Sequence, residues 1–247
     1  MTSLDPRRAR LWERLGLGPV WTERSAPALA PAGSAGAPVE VPVALDRGID
    51  RMGWDELERT VAGCTACGLC KARTNTVFGV GSRDSQWMLI GEAPGAEEDL
   101  RGEPFVGQAG RLLDSILAAA GLGRAATGAS AVYIANVVKC RPPANRNPEP
   151  DEVVRCEPFL RRQIMLLAPR VIVVMGRVAA QAVLGTDASI ASLRGHAHRI
   201  DVAGASVPVI VTYHPAYLLR NLADKAKVWA DMCLAREVFD RTQPRAH

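Results

Sequence analysis

The chain has 247 residues, 48% of them hydrophobic, which fills one good-sized core, and no apolar stretch is long enough to span a bilayer as a helix. A net charge of +4 is modest, compatible with a polyanionic partner without requiring one. Six cysteines without a secretory apolar segment argue against a disulfide-stapled secreted module, so a reducing, cytoplasmic setting and no membrane partner are expected.

In chain order, residues 5–16 predict a short helix with Asp5 as cap, Pro6 in the first turn, and Leu11 and Leu15 on one face. Residues 25–43, rich in Ala, Pro and Gly, read as a flexible linker, so residues 1–50 are expected to be an appendage. The Arg-rich start invites a transit-peptide reading, which Asp5 and Glu13 weaken. Residues 51–241 form the expected main domain. There Gln86–Ile90, Val132–Val138, Val171–Met175 and Val207–Tyr213 read as apolar strands. Helices Ala109–Ala120, Asp151–Leu167, Arg177–Leu184 and Ala223–Phe239 follow them in turn, and His198–Val202 is a candidate antiparallel edge strand. The alternation predicts a three-layer α/β fold. Its core is a central four-stranded, mainly parallel sheet with helices on both faces, preceded by a metal-binding segment.

That segment rests on cysteine spacing. Cys64-Thr65-Ala66-Cys67 is a C-x-x-C pair whose two thiolates can reach one metal centre, while Cys140 ends an apolar run and Cys156 lies on the helix after it. Four thiolates mean structural zinc or an iron–sulfur cluster. Zinc ribbons usually repeat the short spacing in the second pair; this chain does not, which favours the cluster. Cys70 completes a ferredoxin-like C-x-x-C-x-x-C start, but the C-P that such a run needs is missing, so it reads as a small residue beside the cluster. Cys233, in a helical pattern, reads as core.

In an open α/β sheet, ligands bind beyond the carboxyl ends of the strands. Those ends carry Gly91-Glu92-Ala93-Pro94-Gly95, Asn136 with Cys140-Arg141-Pro142-Pro143-Ala144-Asn145, and His214-Pro215-Ala216-Tyr217. Singly, each has a plain explanation: Gly and Pro make turns, an Asn can satisfy backbone, a His can pack in the core. Together at one sheet end they point to a site.

Gly91 to Asp99, Pro104 to Gly110, Asn136 to Pro143 and His214 to Arg220 resemble the corresponding motifs of family 4 uracil-DNA glycosylases, the iron–sulfur branch of their superfamily, and the likeness covers residues 55–240. The resemblance implies hydrolysis of the N-glycosidic bond of deoxyuridine in single- and double-stranded DNA, leaving an abasic site. It also implies a 4Fe-4S cluster on Cys64, Cys67, Cys140 and Cys156, and a monomer is expected. A base in duplex must be flipped into a pocket to react. Asn136 would match uracil's N3–H and O4, Phe105 would stack on the base, a contact worth roughly 1–3 kcal/mol, and the backbone N–H groups around Gly91–Gly95 would help stabilise charge on the departing base. His214 would donate to O2 as charge builds on the departing base.

In the related G-Q-D-P-Y motif an Asp positions the water and a Tyr excludes thymine; here Ala93 and Gly95 hold those places, which leaves Glu92 and Asn145 as candidates for the water. Leu218, taken to lie in an exposed loop, would wedge the duplex, and Arg220 would hold a phosphate. Arg83, Arg141, Arg146 and Lys225 are further phosphate candidates. Glu97, Glu98 and Asp99 sit oddly close to DNA and are expected to hold a loop. The rivals are a redox protein, for which no G-x-G-x-x-G follows the first strand, and a zinc-stabilised DNA-binding module.

Overall fold

The computed structural model describes residues 48–242. The expected helix at 5–16 and linker at 25–43 lie outside the described residues. Six strands form one sheet: β1 (Val80–Gly81), β2 (Trp87–Gly91), β3 (Val132–Asn136), β4 (Val171–Met175), β5 (Ala197–Val202) and β6 (Ala205–Thr212). Their order is β1-β3-β2-β4-β6-β5. The four middle strands are parallel, and β1 and β5 pair antiparallel at the two edges.

The expected four-stranded parallel sheet is therefore the core of a six-stranded mixed one. The β5 edge was anticipated. The β1 edge was not, because two residues carry no readable period. Gly81 in β1 has φ 116° and runs so close to β3 that a Cβ there would lie 2.0 Å from the Val132 carbonyl oxygen.

The strands β2, β3 and β4 are apolar runs buried at every position, as parallel strands covered on both faces must be. Period-two alternation sends Trp87, Leu89, Ile134 and Val173 to one face and Met88, Ile90, Tyr133 and Val174 to the other. The first face is covered by α3 (Gln108–Ala119) through Leu113 and Leu117, and by α8 (Lys225–Arg241) through Val228, Met232 and Phe239. The second is covered by α4 (Pro150–Leu167) through Leu160 and Ile164, and by α5 (Arg177–Leu184) through Ala179 and Ala180. Three layers result.

Before the sheet, α1 (Trp54–Ala62) buries Leu57 and Val61 against Ile49, Met52, Phe78 and Phe159 in a third apolar cluster. Arg162 of α4 fastens this segment by donating to the Met52 carbonyl at 2.7 Å. Ile49, on the appendage side of the expected boundary, is buried here.

From β2 the chain steps to β3 on one side and returns to β4 on the other. The loops after β2 and β3 therefore leave toward opposite faces and open a crevice at the carboxyl ends of the strands.

Candidate active site

The last residues of β2 and β3, Gly91 and Asn136, are paired across the sheet. A Cβ at Gly91 would lie 2.5 Å from Asn136 Oδ1 and 2.6 Å from Phe105 Cζ, so only glycine lets the amide and the ring converge there. Asn136 is 2% exposed, and its Oδ1 is buried without a hydrogen-bond donor among the described residues. An acceptor left bare in a protein interior costs of order 1–3 kcal/mol unless something arrives to satisfy it.

Phe105 is held in the left-handed region, φ 55°, which a bulky residue enters only when its surroundings force it. Arg124 supplies the force: its guanidinium donates to the carbonyls of Pro104 (3.0 Å) and Phe105 (2.9 Å) and pairs with Asp114. Gly110 allows the close approach, since a Cβ there would lie 1.8 Å from the Phe105 carbonyl oxygen. The Phe105 ring then stacks near His214, centroids 5.4 Å apart and planes 30° from parallel.

His214 caps the short helix α7 (Pro215–Leu218), and its Nδ1 accepts the Ala216 N–H at 3.1 Å. Nε2 therefore carries the proton in the neutral ring. Burial lowers the imidazole pKa from 6.5 to about 4, with Glu98 pulling it up and Arg220 pushing it further down. A neutral ring leaves Nε2–H free to donate.

The acidic run has a job. Glu98, in α2 (Ala96–Arg101), accepts from the backbone N–H groups of Gly95, Val106 and Gly107, tying the β2 loop to the Phe105 loop. Buried Asp99 accepts from the N–H groups of Thr74 and Asn75. Both hold loops, as expected.

Glu92, Phe105, Asn136, Asn145, His214 and Arg220 all line one cavity of about 350 Å³, with Ala93, Pro94 and Gly95 on its rim. Burial raises the Glu92 carboxyl pKa, and the Arg177 guanidinium opposes it. Asn145 sits at φ 55° after Ala144 at φ 53°, and its Oδ1 accepts from Arg141 Nε at 2.7 Å.

Other assignments need correction. Leu218 is not in an exposed loop: it is fully buried in the core, and its neighbour Leu219 is 41% exposed. Arg83 precedes β2, at the opposite end of the sheet from the cavity, and is engaged with Asp55, Glu58 and the face of Trp54. Arg146 keeps its place on the cavity wall, where both oxygens of Glu152 hold its guanidinium at 2.8 and 2.7 Å. Cys233 is exposed on α8, outside the core.

A second site lies behind the first. Cys64 follows α1, Cys67 precedes a 3-10 turn at Gly68–Lys71, Cys140 lies past the end of β3, and Cys156 is on α4. These four line one cavity together with Cys70, Arg73, Lys139 and Arg155. Arg73 donates to Cys140 Sγ at 3.1 Å and to the carbonyls of Cys64 and Ala62. The Lys139 backbone N–H donates to Cys156 Sγ at 3.3 Å. Burial raises the thiols of Cys67 and Cys140 and takes Cys156 to about 12, so a metal binding here would have to displace protons. Among the described residues no three His, Cys, Asp or Glu side chains converge as a single-ion site does.

Sequence reasoning passed over Arg73, Glu98 as the link between two loops, Arg124 and Lys139. The spacing Gly95-x-x-Glu98 before a helix is a legible capping signal. Arg73, Arg124 and Lys139 each also reach a partner 67, 20 and 24 residues away, respectively, which leaves no local pattern.

In this α/β fold a sheet-end cavity gathers a buried amide, an aromatic ring and a histidine, and four cysteines line a second cavity. Residues 78–233 match the family described as Uracil DNA glycosylase superfamily. The chain is 41% identical over 194 residues to the type-4 uracil-DNA glycosylase of Archaeoglobus fulgidus, covering 77% of this chain and 95% of that one. It is 46% identical over 168 residues to the type-4 enzyme of Thermotoga maritima, covering 68% and 83%. A type-5 uracil-DNA glycosylase of Thermus thermophilus is 36% identical over 118 residues, 44% of this chain and 53% of that one. The chain belongs to the uracil-DNA glycosylase superfamily, in its type-4 branch.

Proposed function

We propose that this protein excises uracil from DNA, hydrolysing the N-glycosidic bond of a flipped deoxyuridine and leaving an abasic site for repair. The observation that carries the reading is the donor-less Oδ1 of Asn136, buried beside the Phe105 ring. Uracil N3–H would satisfy that oxygen, and the amide Nδ2 would donate to O4. Cytosine, with an acceptor at N3, would leave Oδ1 facing a lone pair.

Phe105 stacks on the base, and His214 Nε2–H points its hydrogen bond at O2. As the C1′–N1 bond breaks, its electron pair moves into the uracil ring. A neutral donor aimed at that charge in a dry pocket strongly stabilises the transition state. Water adds its oxygen to C1′, and the proton it gives up ends on the departing uracil anion, which leaves as neutral uracil. Glu92, made more basic by burial, and Asn145 are the groups near enough to the cavity to position it. Arg220, which lines the cavity, would meet phosphates of single- or double-stranded DNA, with Arg141 beside it through its hydrogen bond to Asn145.

The four cysteines fit a 4Fe-4S cluster better than one zinc ion. They line one cavity, and Cys140 and Cys156 lack the short second spacing that zinc ribbons repeat. Bound there, the cluster supplies a rigid link between the segment before the sheet and the sheet itself. The protein acts as a monomer in this reading. The test is release of free uracil from an oligonucleotide with one deoxyuridine, beside matched thymine and cytosine controls. Uracil released from the first strand alone supports the reading, and an intact deoxyuridine strand rejects it.

A further inference from the structure

Lys139 is 1% exposed, and nothing in the chemistry above uses it. A buried ammonium is costly unless its hydrogen bonds do something an apolar side chain could not. Its Nζ donates to the Asn136 carbonyl at 2.7 Å and to Gln163 Oε1 at 2.6 Å. The Gln163 amide is itself fixed, because its Nε2 donates to the Phe78 carbonyl and the Tyr133 hydroxyl. Lys139 therefore cannot swing away from Asn136 without abandoning a preset acceptor. On its other side, its backbone N–H meets Cys156 Sγ, and its carbonyl accepts from Val77.

We propose that Lys139 is a positioning residue, gripping the carbonyl of Asn136 from behind the base pocket and joining the base-reading amide to the cysteine site. The proposal rests on the uracil reading of that pocket. Lys139 fixes the backbone from which the Asn136 side chain springs, and the cysteine site anchors Lys139. A base-reading amide must hold its place to within a fraction of an ångström, which a strand end alone does not guarantee.

The experiment measures affinity of the metal-loaded protein for two duplexes. One carries 2′-fluorodeoxyuridine, which resists cleavage and fills the pocket; the other carries a tetrahydrofuran abasic analogue, which leaves it empty. Lys139→Met keeps the length and removes the donor. It should weaken binding to the fluorinated duplex at least about 10-fold, as outer-layer changes commonly do, and leave the abasic duplex within about 2-fold. Iron content and visible absorption should match the parent. Equal loss on both duplexes, or no loss on either, overturns the proposal.

If Lys139→Met does not fold, Gln163→Met decides. It removes the acceptor that holds the ammonium and should give the same selective loss; unchanged affinity for the fluorinated duplex overturns the proposal. A parent protein that does not prefer the fluorinated duplex over a thymine duplex would instead remove the uracil reading itself.

Discussion

At the scale of single residues, the site works by withholding. Asn136 offers an oxygen that nothing among the described residues satisfies, and His214 is kept from its charge by burial. The pH consequence has a definite sign. The folded pKa, about 4, lies below the ordinary 6.5, so the unfolded chain takes up the proton first as pH falls. The neutral ring thus contributes stability that is fully present above about pH 6.5 and is lost as pH falls toward 4, on the order of 3 kcal/mol. The single-turnover rate should accordingly show no inflection near pH 6.5 from this residue. His214→Ala should cut that rate by about 100-fold or more while binding to abasic DNA changes little. Normal chemistry with weakened binding would make His214 a docking residue.

Much of this was legible. Glu92, Phe105, Asn136, Asn145, His214 and Arg220, read from strand ends and motif likeness, all reach one cavity. Leu218 was misread because a motif identifies a pair of adjacent leucines without saying which one the helix turns inward. The helix beginning at Pro215 buries Leu218 and leaves Leu219 outside.

At the scale of elements, the site depends on ties between loops that share no sequence neighbourhood. The strand β6 leads directly into His214, and its end is clamped from α8. Asp231 accepts from Thr212 Oγ1 at 2.6 Å and from Arg194 at 2.7 and 2.8 Å, and the Arg194 guanidinium lies 4.3 Å over the Tyr213 ring. Removing the carboxylate strands a largely buried cation. Asp231→Ala should therefore cost about 3–5 kcal/mol by chemical denaturation. A change below about 1 kcal/mol, the scale of a solvated surface pair, would mean that the clamp does not hold the strand end.

The alternation of buried strands and amphipathic helices was plain in the sequence, with Val171–Met175 and Arg177–Leu184 matching residue for residue. What sequence could not supply was β1, whose two residues are defined by what they pair with, and the clamp, whose members span positions 194 to 231.

At the scale of the whole molecule, the segment before the sheet packs on it through an apolar cluster around Leu57 and Phe159, and the four cysteines line one cavity between the two. Cys64 and Cys67 come from that segment, Cys140 from the end of β3 and Cys156 from α4, so a metal centre there would staple three parts of the fold. Ala substitution of any of these four should bleach the protein and lower its melting temperature. Cys70→Ala and Cys233→Ala should retain colour and stability. Bleaching by Cys70→Ala with colour retained in Cys156→Ala would require a different ligand set. The C-x-x-C pair announced this site, but its cationic surround did not show in sequence. Arg73 reaches Cys140 across 67 positions, and the burial of Lys139 follows from the fold around it.

The most direct test of the account is a crystal structure of the protein with a duplex containing 2′-fluorodeoxyuridine. The account predicts the uracil flipped against Phe105, with N3 within hydrogen-bonding distance of Asn136 Oδ1 and O2 within hydrogen-bonding distance of His214 Nε2. A uracil still stacked in the duplex, or bound with Asn136 Oδ1 left unsatisfied, would contradict it.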